Sequence, residues 1–433
     1  MVDGRAVALA AGLVRNWAGT HTYAAARLRQ PESIDELQAI VRDARRVRAL
    51  GSRHSFNDIA DTEGDLVALA RLPRSVQIEP VDQSVTVDGG ARYGDVCGDL
   101  HAAGLALHNL ASLPHISIAG ACVTGTHGSG VRSGSLSTAV EAVELVGPDG
   151  ELRWIDAGRD PDLFAAVVVS LGALGIVSRL RLRVEPTYDV AQEVFEDLPL
   201  DDFRGHFEEI AALGDSVSYF TGWRGPWIDQ VWVKRRVASG GSIGRIGEIF
   251  GATRAAAERH PIRSASADAC TPQLGVPGPW HERLPHFRLD HTPSSGEEIQ
   301  SEYFVGRDDA VAAFDALDML REAIAPLVHV SEIRTIAADE LWLSPAYRRP
   351  SVAFHFTWKR QPGPVLGLLP KIEAALEPFA PRPHWGKVFS IDPRLVAARY
   401  PRRGAFAAAA TRLDPEAKFR NVFVDRYLFS PPA

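Results

Sequence analysis

Residues 111–130 read Ala111-Ser112-Leu113-Pro114-His115-Ile116-Ser117-Ile118-Ala119-Gly120-Ala121-Cys122-Val123-Thr124-Gly125-Thr126-His127-Gly128-Ser129-Gly130. Nearly every side chain is small, and Gly120, Gly125, Gly128 and Gly130 let backbone approach a flat ligand closely. Ile116, Ile118 and Val123 interrupt the polar residues, so the stretch reads as a buried, ordered loop with Ser112, Ser117, Thr124 and Thr126 supplying hydroxyls. Upstream, Ala49-Leu50-Gly51-Ser52-Arg53-His54-Ser55-Phe56-Asn57-Asp58 passes from a strand end into a glycine–serine turn. Consecutive N–H groups in such a turn hold an anion without a lysine. His54 there has two readings, a turn histidine bonded to backbone or a group beside a phosphate-bearing ligand. Downstream, Ser170-Leu171-Gly172-Ala173-Leu174-Gly175-Ile176-Val177 is a tight turn into a strand.

Working outward, Ile34, Leu37, Ile40, Val41 and Ala44 recur at helical spacing behind Ser33, a plausible cap, and residues 45–50 read as a strand. Residues 66–69, the alternations Val76/Ile78 and Val85/Val87, and residues 139–145 read as further strands, and residues 93–103 as a helix. Near 184–188 the glycine-rich short strands give way to longer segments carrying Trp223, Trp227, Trp232 and Trp280. Residues 217–223 and 227–233 read as a hairpin around Arg224-Gly225-Pro226, 310–325 as one amphipathic helix, 328–335 and 351–357 as strands, and 364–376 as a helix enclosing Pro370. The fold class is α+β, with an antiparallel sheet in the second region.

The chain has 433 residues, 47 Lys+Arg and 54 Asp+Glu, for a net charge of −7. That balance opposes binding to nucleic acid or an anionic membrane, which needs a basic face. Cys97, Cys122 and Cys270 lack CxxC spacing, so a reducing compartment, the cytoplasm, is expected, and no metal site. The stretch to Arg15 lacks the apolar core of a leader, and no apolar run is long enough to span a bilayer. The P-loop, HExxH and GxGxxG motifs are missing, and Gly240-Gly241-Ser242-Ile243-Gly244 fits GxSxG without its strand. Only five lysines occur, Lys234, Lys359, Lys371, Lys387 and Lys418, which singles out any that sits among polar residues.

In this order and spacing the three motifs resemble the FAD domain of the vanillyl-alcohol oxidase superfamily. With Asn16-Trp17 and His384-Trp385-Gly386-Lys387, the chain resembles its sugar-alcohol and aldonolactone oxidase branch over nearly its whole length. The resemblance implies a two-domain flavoprotein: an FAD-binding domain of PCMH type over 1–186, a substrate-binding cap with a large antiparallel sheet over 187–379, and a segment, 380–433, returning to the FAD domain. It implies that Ala49, Leu50, Gly51, Ser52, Arg53, His54 and Ser55 form the pyrophosphate turn and that His54 is bonded to the flavin 8α-methyl. Ser112 would line the substrate side of the flavin ring, Ser117, Gly120, Ala121, Cys122, Val123, Gly128 and Ile176 the cofactor side, with His384 nearby. Relatives with a second, cysteinyl link carry Cys near Ala111-Ser112; its lack here implies a single histidyl bond, which retains FAD and raises its potential.

On the strand over 328–335, Glu332 and Arg334 share a face, as His355 and Thr357 do on theirs. Taken alone, Glu332 and Arg334 also read as a surface ion pair and Lys387 as a solvated lysine. The resemblance implies instead that Glu332, Arg334, Thr357 and Lys387, with Ser112, contact polyol hydroxyls, with His355 alongside. Lys387 and Arg334 would then lower the effective pKa of the reacting hydroxyl while Glu332 fixes its neighbours. The expected reaction is oxidation of the terminal primary alcohol of an alditol such as xylitol or sorbitol to the aldose, with O2 reduced to H2O2. The partners implied are a small neutral polyol and O2, and the expected state is a monomer. An aldonolactone oxidase or dehydrogenase is the alternative; Ala111, where this branch controls oxygen access, leaves another electron acceptor open, and a flavin-free carbohydrate-binding protein is the non-enzymatic rival.

Overall fold

The computed structural model describes residues 7–8, 14–291 and 297–429; the expectation for the first fifteen residues lies mostly outside them. Ser33 accepts from the Glu36 N–H at 3.1 Å and caps the helix Ile34–Asp43, which buries Leu37, Ile40 and Val41. That helix delivers the chain into the strand Val47–Leu50, parallel to Asp65–Ala68. Arg27–Arg29 continues the parallel pairing, and Val7–Ala8 closes this four-stranded sheet antiparallel. A five-stranded antiparallel sheet follows, in the order Val76–Glu79, Ser84–Asp88, Ile176–Arg183, Val140–Val146, Leu152–Asp156.

The third large sheet has nine antiparallel strands among the described residues. Its central run is Tyr188–Pro199, Trp227–Ala238, Ser216–Thr221, Val328–Ile336, Ser351–Lys359 and Glu298–Gly306. Side chains alternate between its faces. On one face Tyr219 packs against Phe203 of the helix Leu200–Ala211 with ring centroids 5.3 Å apart, and Tyr303 donates to Glu373 of the helix Pro362–Leu376 at 2.8 Å. Full burial of an apolar side chain such as Phe203 contributes about 1.5–3 kcal/mol. Phe220, Glu302, Glu332 and His355 point to the other face, which lines a cavity.

The expected hairpin is present as Ser216–Thr221 and Trp227–Ala238, and Pro370 does lie inside a helix. The single helix expected over 310–325 is instead two, Ala310–Asp318 and Arg321–Ile324, broken at an exposed Met319. Leu317 and Ile324, one on each side of the break, are both buried in the core. The small-residue loop contains a helix, Ile118–Val123, and Asp160 caps another at Pro161–Val168 that the sequence pattern did not single out.

After Arg382–Pro383, an outer strand of the nine-stranded sheet, the chain returns to the first sheets. The buried Lys418 ammonium donates to the carbonyls of Val41, Arg42 and Pro148, and the Asn421 amide to those of Asp58, Ile59 and Asp61. The buried Arg48 guanidinium donates to the carbonyls of Ile59, Leu171, Gly172 and Phe419.

Candidate active site

The cavity lies between the first sheets and the open face of the nine-stranded one. One wall comes from residues 48–55, from Ala111, Ser112, Ser117, Gly120, Ala121 and Val123, and from Leu171, Gly172 and Gly175. Its two principal motifs interlock: the Ser52 N–H donates to Ser117 Oγ at 3.3 Å and the Ser117 N–H to Ser52 Oγ at 3.2 Å. A Cβ on Gly51 would stand 2.4 Å from Ser117 Oγ, and one on Gly120 2.6 Å from the same atom, so a side chain at either would displace that hydroxyl from the Ser52 N–H. Arg53 adopts φ 62°, and the turn is secured by Trp17 N–H to Arg53 O at 2.8 Å and the Asn16 amide to Ser55 O at 2.9 Å.

The His54 ring packs on Trp17, with centroids 4.6 Å apart, and edge-on to Phe56 at 5.8 Å. Burial, then the Lys387 charge and the neighbouring imidazoles of His355 and His115, push the imidazole down to about 3, so a neutral ring faces the cavity. A wall of backbone and small side chains ending in a nucleophilic imidazole fits a flat ligand bearing a pyrophosphate.

Three residues expected on this wall do not line the cavity. The Cys122 thiol turns to Tyr93 Oη at 3.9 Å, Gly128 is pressed against Asn109, and Ile176 packs in the core under Ile34–Asp43. Their neighbours Val123, His127 and Val177 are exposed to it instead.

The opposite wall is set by strand register. Glu302, His355, Glu332 and Phe220 stand in one row across four neighbouring strands, with Gln300 and Thr357 paired in an adjacent row. Arg334, two residues from Glu332, shares its face. Arg334 Nη2 donates to Glu302 Oε1 at 2.8 Å, and its Nε stands 3.6 Å from Glu332 Oε2. His127 Nε2 lies 3.1 Å from Glu302 Oε1, His355 Nδ1 3.5 Å from Glu302 Oε2, and His355 Nε2 3.2 Å from Thr357 Oγ1. Burial raises the Glu302 pKa, but His127, Arg334 and His355 override it and hold the carboxyl well below its usual range; Arg334 and His286 do the same for Glu332. Both carboxylates are therefore ionised.

His384-Trp385-Gly386-Lys387 crosses between the walls. The His384 N–H donates to Glu302 O at 2.9 Å, the Phe56 N–H to Gly386 O at 2.8 Å, and the Asn57 amide to Lys387 O at 2.7 Å. His384 Nδ1 accepts from the Gly386 N–H at 3.0 Å, which leaves its proton on Nε2, 3.4 Å from Thr126 Oγ1. Lys387 Nζ sits 5.0 Å above the Phe56 ring and donates to Gln300 Oε1. Burial lowers the Lys387 pKa to about 8, with Glu302 and Glu298 opposing the fall.

The cavity thus gathers Glu332, Arg334, His355, Thr357, Lys387, Ser112 and His384 with the glycine–serine turn. Glu302, His127, Gln300 and His286 also line it and were not anticipated. For Gln300 and Glu302 the available signal was the alternation Glu298, Gln300, Glu302 between Ile299, Ser301 and Tyr303.

This fold and site define an FAD-dependent oxidoreductase. The family described as FAD binding domain matches residues 25–156, and that described as D-arabinono-1,4-lactone oxidase matches 296–427. The chain is 47% identical to an alditol oxidase of Streptomyces sp. over 95% of its length and 98% of the relative's. It is 30% identical to an L-gulono-1,4-lactone dehydrogenase of Mycobacterium tuberculosis at the same coverages. Cholesterol oxidase from B. sterolicum shares the fold, with a TM-score of 0.75, 15% identity and 96% of each chain covered. The chain belongs to the alditol oxidase family, in the vanillyl-alcohol oxidase superfamily.

Proposed function

We propose that the protein oxidises the terminal primary alcohol of an alditol such as xylitol or sorbitol to the aldose, with O2 as electron acceptor and H2O2 as product. The observation that carries this reading is the charge balance of the polar wall. Glu302 and Glu332 are set against Arg334 and Lys387, and Thr357, Gln300 and Ser112 stand among them. Such a surface suits a neutral ligand rich in hydroxyls, and the kinship to an alditol oxidase supports it. Bound FAD supplies the acceptor for two electrons, which pass on to O2.

The chain's own residues do the rest. Lys387 and Arg334 donate to the reacting oxygen and stabilise the negative charge that develops there. His355 Nδ1 faces the Glu302 carboxylate at 3.5 Å; with the ring proton on that nitrogen, the Nε2 lone pair, which faces Thr357 Oγ1, accepts the hydroxyl proton. Glu332 accepts from a neighbouring hydroxyl and Thr357 and Ser112 complete the positioning. His54, neutral and packed on Trp17, is the attachment point for covalent FAD in this reading. The cofactor is held by residues 49–55 with Ser112, Ser117, Gly120, Ala121, Val123 and His384. Residues 1–186 and 380–433 form the flavin-binding part and 187–379 the cap. The free, buried thiols of Cys97, Cys122 and Cys270 support a cytoplasmic location, and light scattering tests the monomer.

Mixing the oxygen-free protein with xylitol tests the function: the flavin absorbance bleaches, and returns with H2O2 on admitting air. A lactone is the second reading, favoured by the lactone-oxidase match over 296–427. Bleaching by gulonolactone and by no polyol would establish it.

A further inference from the structure

Lys234 lies on the strand Trp227–Ala238, 1% exposed and outside the cavity lining. Its Nζ faces Leu284 O at 2.6 Å, Pro285 O at 3.1 Å and His286 Nδ1 at 3.1 Å. An ammonium has three hydrogens and no lone pair. Three acceptors therefore use all its hydrogens, and His286 Nδ1 must present its lone pair. The ring's proton is then on Nε2, 2.8 Å from Glu332 Oε1. Trp232 and Phe220 hold the ring edge-on at 5.2 and 5.5 Å, and the backbone N–H of His286 is tied to Ser112 O at 3.1 Å. Glu332 Oε2, 3.6 Å from Arg334 Nε, remains for a ligand.

We propose that Lys234 is a positioning residue that fixes His286 as the Nε2–H tautomer and so holds Glu332 as a fixed acceptor, selecting substrates that offer a hydroxyl donor at that point. An open-chain polyol offers one there; a lactone presenting its carbonyl or ring oxygen meets a carboxylate instead. The inference rests on the substrate role of Glu332 proposed above.

Lys234 faces His286, Glu332 and Cys270; burial lowers it to about 7 against the opposing pull of Glu332 and Cys270, so the ammonium prevails below that pH and gives way to the amine above it. His286 faces Lys234, Glu332 and Arg334, and burial with the two cations lowers it to about 4, so the ring is neutral. A neutral amine keeps two hydrogens for the two carbonyls and turns its lone pair to Nδ1. That favours the opposite tautomer and sets a lone pair of Nε2 against Glu332.

The test uses the FAD-loaded protein. Lys234→Met raises the KM for xylitol about tenfold, the worth of one hydrogen bond to a charged group, with kcat little changed. It also narrows the preference for xylitol over gulonolactone. His286→Gln replaces the ring by an amide with no tautomer to choose; whatever its own KM, adding Lys234→Met to it shifts that KM less than about twofold if Lys234 acts through the ring. A full-sized effect in that background, or an unchanged KM in the single variant, overturns the proposal. Nitrogen-15 shifts of His286 in the wild-type holoenzyme are independent of how the variants fold: a protonated Nε2 is expected, and a protonated Nδ1 overturns it. Failure of every polyol to bleach the wild-type flavin counts against the functional reading instead, and leaves the tautomer measurement decisive for this one.

Discussion

Arg334 and Glu302 meet across a strand that belongs to neither: Arg334 Nη2 reaches over Ser351–Lys359 to Glu302 Oε1 at 2.8 Å. His355, on the strand between them, turns its Nδ1 to the other oxygen of the same carboxylate. His127 completes the group from the small-residue segment. One buried anion thus joins the two walls of the cavity and the central strands of the large sheet.

Glu302→Gln should destabilise the fold by about 3–5 kcal/mol, because it removes the buried carboxylate shared by Arg334 and His127 and leaves Arg334 only the more distant carboxylate of Glu332. Thermal denaturation with and without FAD measures this. An unchanged melting temperature would show that the cluster is not held together by that charge.

Lys387→Met should lower the rate of flavin reduction by xylitol about 10²–10³-fold, the usual loss when one donor to a developing oxyanion is removed. FAD content and melting temperature should stay at wild-type values, since Lys387 contributes one contact to Gln300 and one ring contact to Phe56. Rapid-mixing absorbance under nitrogen gives the rate, and turnover at wild-type speed rules the role out.

The same lysine sets an alkaline limb. Its pKa is lowered to about 8, so below that pH it is an ammonium able to donate, and above it a neutral amine. Flavin reduction at saturating xylitol should therefore fall with rising pH, about tenfold per unit once well above 8. Lys387→Met should be flat over that range; a limb that persists in the variant belongs to another group.

His54 is tested by colour. Wild-type protein precipitated with acid and washed should stay yellow, whereas His54→Ala should release its flavin into the supernatant. A yellow pellet from the variant would place the bond elsewhere.

The glycine–serine turn and the small-residue segment were legible because their residue types are set locally, by the tight fit of Gly51 and Gly120 around the Ser117 hydroxyl. Glu332, Arg334, His355 and Thr357 were legible because period-two spacing places partners on one face. Glu302 was not, since its three partners lie on separate elements that only the register of the large sheet brings together. Lys234 was noticed for its rarity alone; its meaning depends on His286, which approaches from a loop fifty residues on. The broken helix at Met319 escaped because its apolar spacing runs on unbroken through Leu317, Leu320 and Ile324.

Arg48 carries a consequence for the order of folding. Its guanidinium is buried beside the glycine–serine turn with no carboxylate partner among the described residues, and its carbonyl partners come from residues 59, 171, 172 and 419. Phe419 lies 371 residues beyond Arg48. The seat under the turn is thus a junction of segments far apart in the chain, and it forms only when long-range contacts close, however early the turn itself takes shape.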